Sequence, residues 1–466
     1  MNTPATHRLS TLTAHLERRN ESRAPSATPH PSAGVLSFLK NLLGSGRDAA
    51  TGSDTSAGEP TVLIGTYTDG SPVVMEDGRS IRFSTGHAPG GFVSRLDPRT
   101  GTLTVVDTVT ENIGANPAYT AHNPAANVVY FTNETKGGCV KAFSVDQQTG
   151  TLTYLNELLT GGDAPCFISL APGGILLCAN YSSGHLTTFT TDETGALVKA
   201  NTVPLPGFDD PSQTFDPDAF AGRQEAPHAH CFVPDTQAES TGWAFACDLG
   251  SNEVVTVEVS ESGEISFVDR CKLPAGTGPR HLALTPDGRR LVVGGELGNN
   301  LCVLDIDRDG RRLVFRGSGS LLPDGYEAPG TGTTVSHVEL SPSGKFAFVG
   351  NRVGVGIGGD LPADMISGPG EVGMEGRISV MKLGESGVDC PQLVAFEPTG
   401  GQVPRSFCVA PGHSDCKPLL IVGNQESDNV RSYWIDEESV PGELTLTFTG
   451  AELALPSPAC LIYMER

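Results

Sequence analysis

Residues Ala275 to Val303 read AGTGPRHLALTPDGRRLVVGGELGNNLCV. A Gly-Pro-Arg-His corner opens the stretch. An alternating run, HLALTP, follows it. The turn Pro286-Asp287-Gly288 leads into the apolar run LVVGG, a polar loop GELGNN, and a third apolar run LCVLDI. Period-two apolar runs separated by Gly, Pro and Asp turns are the signature of short antiparallel strands.

The same frame recurs along the chain. Its corner is NPAYTAHNP at 116, APCFISLAP at 164, APHAHCFVP at 226, GPRHLALTP at 278, TVSHVELSP at 334 and VPRSFCVAP at 403. Each corner is followed by an apolar run with a polar or small end: VVYFTN133, ILLCAN180, WAFACD248, LVVGG295, FAFVGN351 and LLIVGN424. A third strand follows each loop, as in CVKAFSV or NVRSYWI. A fourth is visible after a turn in most copies, for example TLTYLNE and GEISFVD. Four strands at a period of roughly 50 residues predict the blades of an all-β propeller. The segment from Thr61 to about residue 108 makes a seventh unit. The closing PACLIY, residues 458–463, predicts a strand that completes this N-terminal blade and closes the ring. Closure removes the exposed sheet edge that an open array leaves. Stacked blades also let a long chain bury its apolar faces without separate cores.

Composition agrees with a folded, strand-rich protein. The 466 residues include 57 Gly and 34 Pro, with 38% hydrophobic and 18% charged residues. The formal net charge of -23 disfavours nucleic acid and anionic membrane as partners. The 11 cysteines are scattered, with no CxxC pair, as expected of reduced thiols in a cytoplasmic protein. No apolar run is long enough for a membrane span. Residues 1–58 are rich in Ser, Thr, Ala and Pro and read as a disordered or organelle-targeting leader; residues 59–466 form the propeller domain. Two insertions, 204–226 and 354–376, interrupt the rhythm beside corner positions and read as candidate walls or lids.

Several motifs fail on context. Gly354 to Gly359 satisfies GxGxxG, but Asp360-Leu361-Pro362 follows instead of a helix. No GxSxG is present, so a nucleophile-elbow serine has no support. His228-Ala229-His230 lacks a third zinc ligand in any local pattern. The acidic segment Asp209 to Asp218 lacks EF-hand spacing.

Comparison of equivalent positions says more. Immediately after the corner stand Ala118, Cys166, His228, Arg280, Ser336 and Arg405. Immediately after the second strand stand Glu134, Tyr181, Leu249, Glu296, Arg352 and Gln425. A propeller gathers such loop ends around one mouth of its central channel, so residues far apart in sequence are expected to converge. Arginine at these positions suits two-point holding of a phosphate or carboxylate.

The corners GPRHLALTPDG, PHAHCFVPD and VPRSFCVAPG, the loops GELGNN, GNR and GNQESDNV, the opening IGTYT and the closing PSPACLIY resemble the seven-bladed propeller lactonases. That group includes the propeller-type 6-phosphogluconolactonase and the fungal 3-carboxymuconate cyclase. The resemblance spans about residues 60–466. It implies functional roles for His230 or His228, Arg280, Glu296 and Arg352, with Arg352 on the substrate. The equivalent positions of the last blade add Arg405 and Gln425 as candidate substrate contacts. No metal or organic cofactor is expected, because a lactone is already an activated ester. The expected reaction is hydrolysis of a sugar-acid lactone, most simply 6-phosphogluconolactone in the pentose phosphate pathway, by a monomer or weak homo-oligomer. Glu296 would activate or orient water, Arg280 would stabilise the oxyanion, and a histidine would protonate the leaving oxygen. The alternatives are a lactonising cycloisomerase on a carboxymuconate-like anion and a non-catalytic binding propeller.

Overall fold

The structure is a computed structural model. It describes residues 60–464 apart from 71–72, 75–79, 82–83, 209–219, 221, 238–241, 328–331, 356–373, 385–389, 413–415, 438 and 441. The expected leader, the acidic segment and most of the GxGxxG stretch lie outside the described residues.

Seven four-stranded antiparallel sheets form the blades of a propeller. Blade 1 pairs the C-terminal strand Pro458–Met464 with Thr61–Thr66, then Gly91–Asp97 and Thr102–Val109. Blades 2 to 7 begin with the innermost strands Pro117–Asn123, Pro165–Leu170, Ala229–Pro234, Pro279–Leu284, Thr333–Leu340 and Pro404–Ala410. Each continues outward through three strands in sequence order. The ring therefore closes as the sequence predicts, with Thr61 opposite Met464 and Gly65 opposite Cys460.

Burial explains the composition of each strand. The second strands, such as Val128–Asn133 and Leu419–Asn424, are buried along their whole length between neighbouring blades and are almost purely apolar. The outermost strands alternate partly buried and exposed residues, as in Thr445–Ala454. Side chains near the ring must be small where blades approach. A Cβ on Gly65 would meet the Pro117 carbonyl oxygen at 2.6 Å, so only glycine fits that contact between blades 1 and 2. The polar residue closing most second strands is a buttress. Asn133 donates to the Ile113 and Ala115 carbonyls, at 2.8 and 2.7 Å, and Asn424 donates to Thr399. These bonds satisfy buried backbone groups where loops enter the ring.

One irregularity repeats in every blade. The pairing of the innermost strand skips Ala118, Cys166, His230, Arg280 and Arg405, each of which is the extra residue of a β-bulge. Blade 6 carries its bulge at Ser336-His337, and blade 1 at Ala459. A bulge breaks strict alternation and re-aims a side chain. Here five of these residues, Ala118, Cys166, Arg280, Arg405 and Ala459, line one small central cavity. The finding also corrects the equivalence read from the prolines. His230, not His228, occupies the place of Arg280, while His228 stands at the corner before the strand and Ala229 takes the place of Pro279. The blade 4 strand starts two residues later relative to its flanking prolines, which sequence spacing alone does not reveal.

Candidate active site at the axial mouth

The second set of positions is held by one backbone device. The amides of Glu134, Tyr181, Leu249, Glu296 and Gln425 donate to the carbonyls of Asn116, Ala164, His228, Gly278 and Val403, at 2.8–3.0 Å. In blade 1, Tyr67 donates in the same way to Ser457. Asn116, Ala164, Gly278, Val403 and Ser457 all adopt positive φ, between 46° and 58°. Each precedes a proline, which disfavours helical backbone at that place. Val403, β-branched with φ at 55°, is the costliest of the set. The corner so formed hangs the next side chain over the mouth.

Glu296 is the hub. Its carboxylate is buried and meets three guanidinium groups. Arg223 and Arg352 reach Oε1 at 2.8 and 2.9 Å, and Arg280 Nε lies 2.9 Å from Oε2. The last contact is an ion pair without a hydrogen bond, because the N–H is not aimed at the oxygen; among the described residues Oε2 accepts none. His230 Nε2 is 3.9 Å from Oε2. Burial alone would raise the Glu296 pKa, but Arg223, Arg352 and Arg280 outweigh it and hold the carboxyl well below its usual range. The His230 pKa is also lowered, by burial first and then by Arg280, so the ring stays a neutral imidazole at neutral pH. Burial, with the Arg280 and Arg405 charges, brings Arg352 down to about 10 despite Glu296.

The expected residues thus fall into groups. Glu296, Arg280, Arg352 and His230 form one cluster. His228 stacks on Tyr181, with ring centroids 4.6 Å apart, and meets Glu225 at 3.0 Å on the rim. Arg405 belongs to a second cluster. Its guanidinium lies 4.8 Å over the Tyr67 ring and donates to the Tyr67 hydroxyl, which in turn donates to Glu134 Oε2 at 2.7 Å. Gln425 is buried at the equivalent place in blade 7, and its amide donates to Glu426.

Two participants escaped the sequence reading. Arg223 comes from the first insertion, reaching Glu296 and donating from Nε to the Tyr181 hydroxyl at 3.0 Å. The insertion's place beside the fourth corner was the available signal. Tyr67 lies in the opening IGTYT, whose repeat position is masked because its corner comes from the other end of the chain.

A small cavity at the centre of the ring is lined by Tyr67, Glu134, Cys166, Arg280, His281 and Arg405. Beneath it, His281 and His337 face each other through Nδ1 atoms 2.8 Å apart, packed edge-on against Tyr119, Phe167 and Phe407. This layer forms the floor.

Fold and mouth together have the form of a propeller enzyme with a small charged site. The family model described as "Lactonase, 7-bladed beta-propeller" matches residues 61–463, and the chain belongs to that family. It is accordingly a lactonase, a hydrolase of cyclic esters. A 6-phosphogluconolactonase of Bacillus subtilis is 27% identical over 362 residues, covering 75% of this chain and 88% of the relative. A 6-phosphogluconolactonase of Formosa agariphila is 24% identical over 335 residues, covering 70% and 82%. Among solved structures, a periplasmic gluconolactonase of Pseudomonas aeruginosa superposes with a TM-score of 0.66 at 22% identity, covering 87% of this chain and 99% of that one. At that identity the likeness speaks for the fold. Among the described residues no helix is long and apolar enough to cross a membrane.

Proposed function

We propose that the chain hydrolyses a phosphorylated sugar-acid lactone, 6-phosphogluconolactone, to the open acid. The observation that carries this reading is a cluster of arginines at the mouth. Four guanidinium groups, those of Arg223, Arg280, Arg352 and Arg405, lie around Glu296 and Tyr67. Such a concentration of guanidinium groups in a chain of net charge -23 supports an anionic substrate, and a phosphorylated lactone fits it. The names of the Bacillus and Formosa relatives support the same substrate.

In this reading Arg280, which lines the central cavity, stabilises the oxyanion formed when water adds to the ester carbonyl. Arg352, Arg405 and Arg223 hold the phosphate and sugar-acid oxygens. His230, neutral and beside the cluster, donates a hydrogen bond toward the ring oxygen as the C–O bond opens. Glu296 fixes the guanidinium groups in place.

The test is hydrolysis of freshly generated 6-phosphogluconolactone above its spontaneous rate, with an EDTA control, beside unphosphorylated gluconolactone. Faster turnover of the phosphorylated lactone, unchanged by EDTA, is expected. Turnover of a carboxymuconate-type anion instead would move the reading to a lactonising cycloisomerase.

A further inference from the structure

Glu296 is poorly placed to take a proton from water. Its oxygens are engaged by Arg223, Arg352 and Arg280, and it does not line the central cavity. A carboxylate so clamped gives up its negative charge to protonation only at strongly acidic pH. The cavity does contain another carboxylate. Glu134, on the loop after the second strand of blade 2, lines it together with Arg280 and Arg405.

The surroundings of Glu134 differ from those of Glu296 in three respects. Among the described residues no guanidinium pairs with it directly. Among the described residues its Oε2 accepts the Tyr67 hydroxyl, and no hydrogen bond reaches Oε1. It is only partly buried. Tyr67 is in turn fixed by the Arg405 guanidinium, which both covers its ring and donates to its oxygen. The rotamer of Glu134 is thus set by a neutral donor, which orients the carboxylate without cancelling its charge.

The other cavity groups are weaker candidates. Burial keeps the Cys166 thiol and the Tyr67 phenol well above their usual ranges, so both stay protonated. His281 is held neutral by burial and by the Arg280 charge, and its Nδ1 is engaged by His337.

We propose that Glu134, oriented by Tyr67, is the general base of the reaction, while Glu296 positions the guanidinium groups. This rests on the lactonase reading above. Water adds to the lactone carbonyl carbon as one of its protons passes to Glu134. The carbonyl electrons move onto the oxygen held by Arg280. When the tetrahedral adduct collapses, the bond between the carbonyl carbon and the ring oxygen breaks. The ring oxygen takes up the proton held by Glu134, which returns to its carboxylate form, leaving a hydroxy acid whose carboxyl proton goes to solvent. Glu134 is a catalytic residue in this scheme, and Tyr67 is a positioning residue.

The experiment compares wild type, Glu134→Gln and Tyr67→Phe on 6-phosphogluconolactone, with 6-phosphogluconate binding by calorimetry and a thermal melt for each. Glu134→Gln keeps the shape and the Tyr67 bond. It is expected to lower kcat by about 100- to 10,000-fold, with product affinity and melting retained. Tyr67→Phe removes the hydrogen bond that orients the carboxylate, so kcat is expected to fall about tenfold while product affinity and melting are retained, a split a merely structural tyrosine would not produce. Wild-type kcat in Glu134→Gln overturns the assignment while leaving the lactonase reading intact. An unchanged kcat in Tyr67→Phe overturns the role of Tyr67, and serves as the deciding readout if Glu134→Gln does not fold. Wild type without turnover above the spontaneous rate overturns the underlying reading, and the assignment falls with it.

Discussion

Glu296→Gln is the most searching substitution, because it removes a single charge and almost no volume. In the native site one carboxylate balances Arg223, Arg280 and Arg352 at 2.8, 2.9 and 2.9 Å. At an effective dielectric of about 20, each contact is worth roughly 6 kcal/mol gross. Desolvating four ions costs several kcal/mol apiece and offsets much of that sum. Removal of the negative member is different. It leaves three buried cations facing one another, and deleting one partner of a buried pair costs about 3–5 kcal/mol. Unfolding entropy of about 2.1 cal/mol/K per residue, over roughly 400 residues, turns this into a fall of about 4–6 °C in apparent Tm. The pH dependence has a definite sign. The folded pKa of Glu296 lies below its unfolded value of about 4.3. Its stabilisation is therefore fully present above that value and is lost only as pH falls through the folded pKa. Calorimetric melts of both proteins from pH 8 to pH 3 are the assay. A constant gap between pH 8 and pH 5, narrowing only in strong acid, is expected. A variant melting within about 1 °C of wild type at pH 7 would refute the idea that Glu296 is the charge hub, as would a gap already closed at pH 5.

Three further outcomes are expected. Arg280→Ala leaves Glu296 paired with Arg223 and Arg352, so the fold should persist while kcat falls about 100- to 1,000-fold, as for loss of an oxyanion donor; steady-state kinetics with a melting curve check this. Arg223→Ala removes the one guanidinium supplied by the first insertion. KM for the phosphorylated lactone should rise about tenfold, with kcat nearly unchanged and the unphosphorylated lactone scarcely affected. Deleting residues 458–466 strips blade 1 of its innermost strand and reopens the ring, so the truncated chain should lose cooperative melting and aggregate, read by calorimetry and light scattering.

Much of this was legible in the chain itself. The six corner motifs and the lone C-terminal strand specify seven blades and a closed ring, because strand periodicity and turn chemistry are local properties. Repetition also singles out Glu134, Glu296, Arg352 and Gln425, since a common frame shows where side chains are free to differ. The prolines misled in one place, exchanging His228 for His230, because the bulge register depends on hydrogen bonds to the next strand and not on spacing to the nearest proline. Tertiary structure alone decided the rest. Only closure of the ring brings Tyr67 beside Arg405, 338 residues away, and only the path of the first insertion carries Arg223 to Glu296. The division of the mouth into a clamped carboxylate and an open one has the same origin. Both glutamates occupy equivalent sequence positions, and what separates them is the charge of neighbours contributed by other blades.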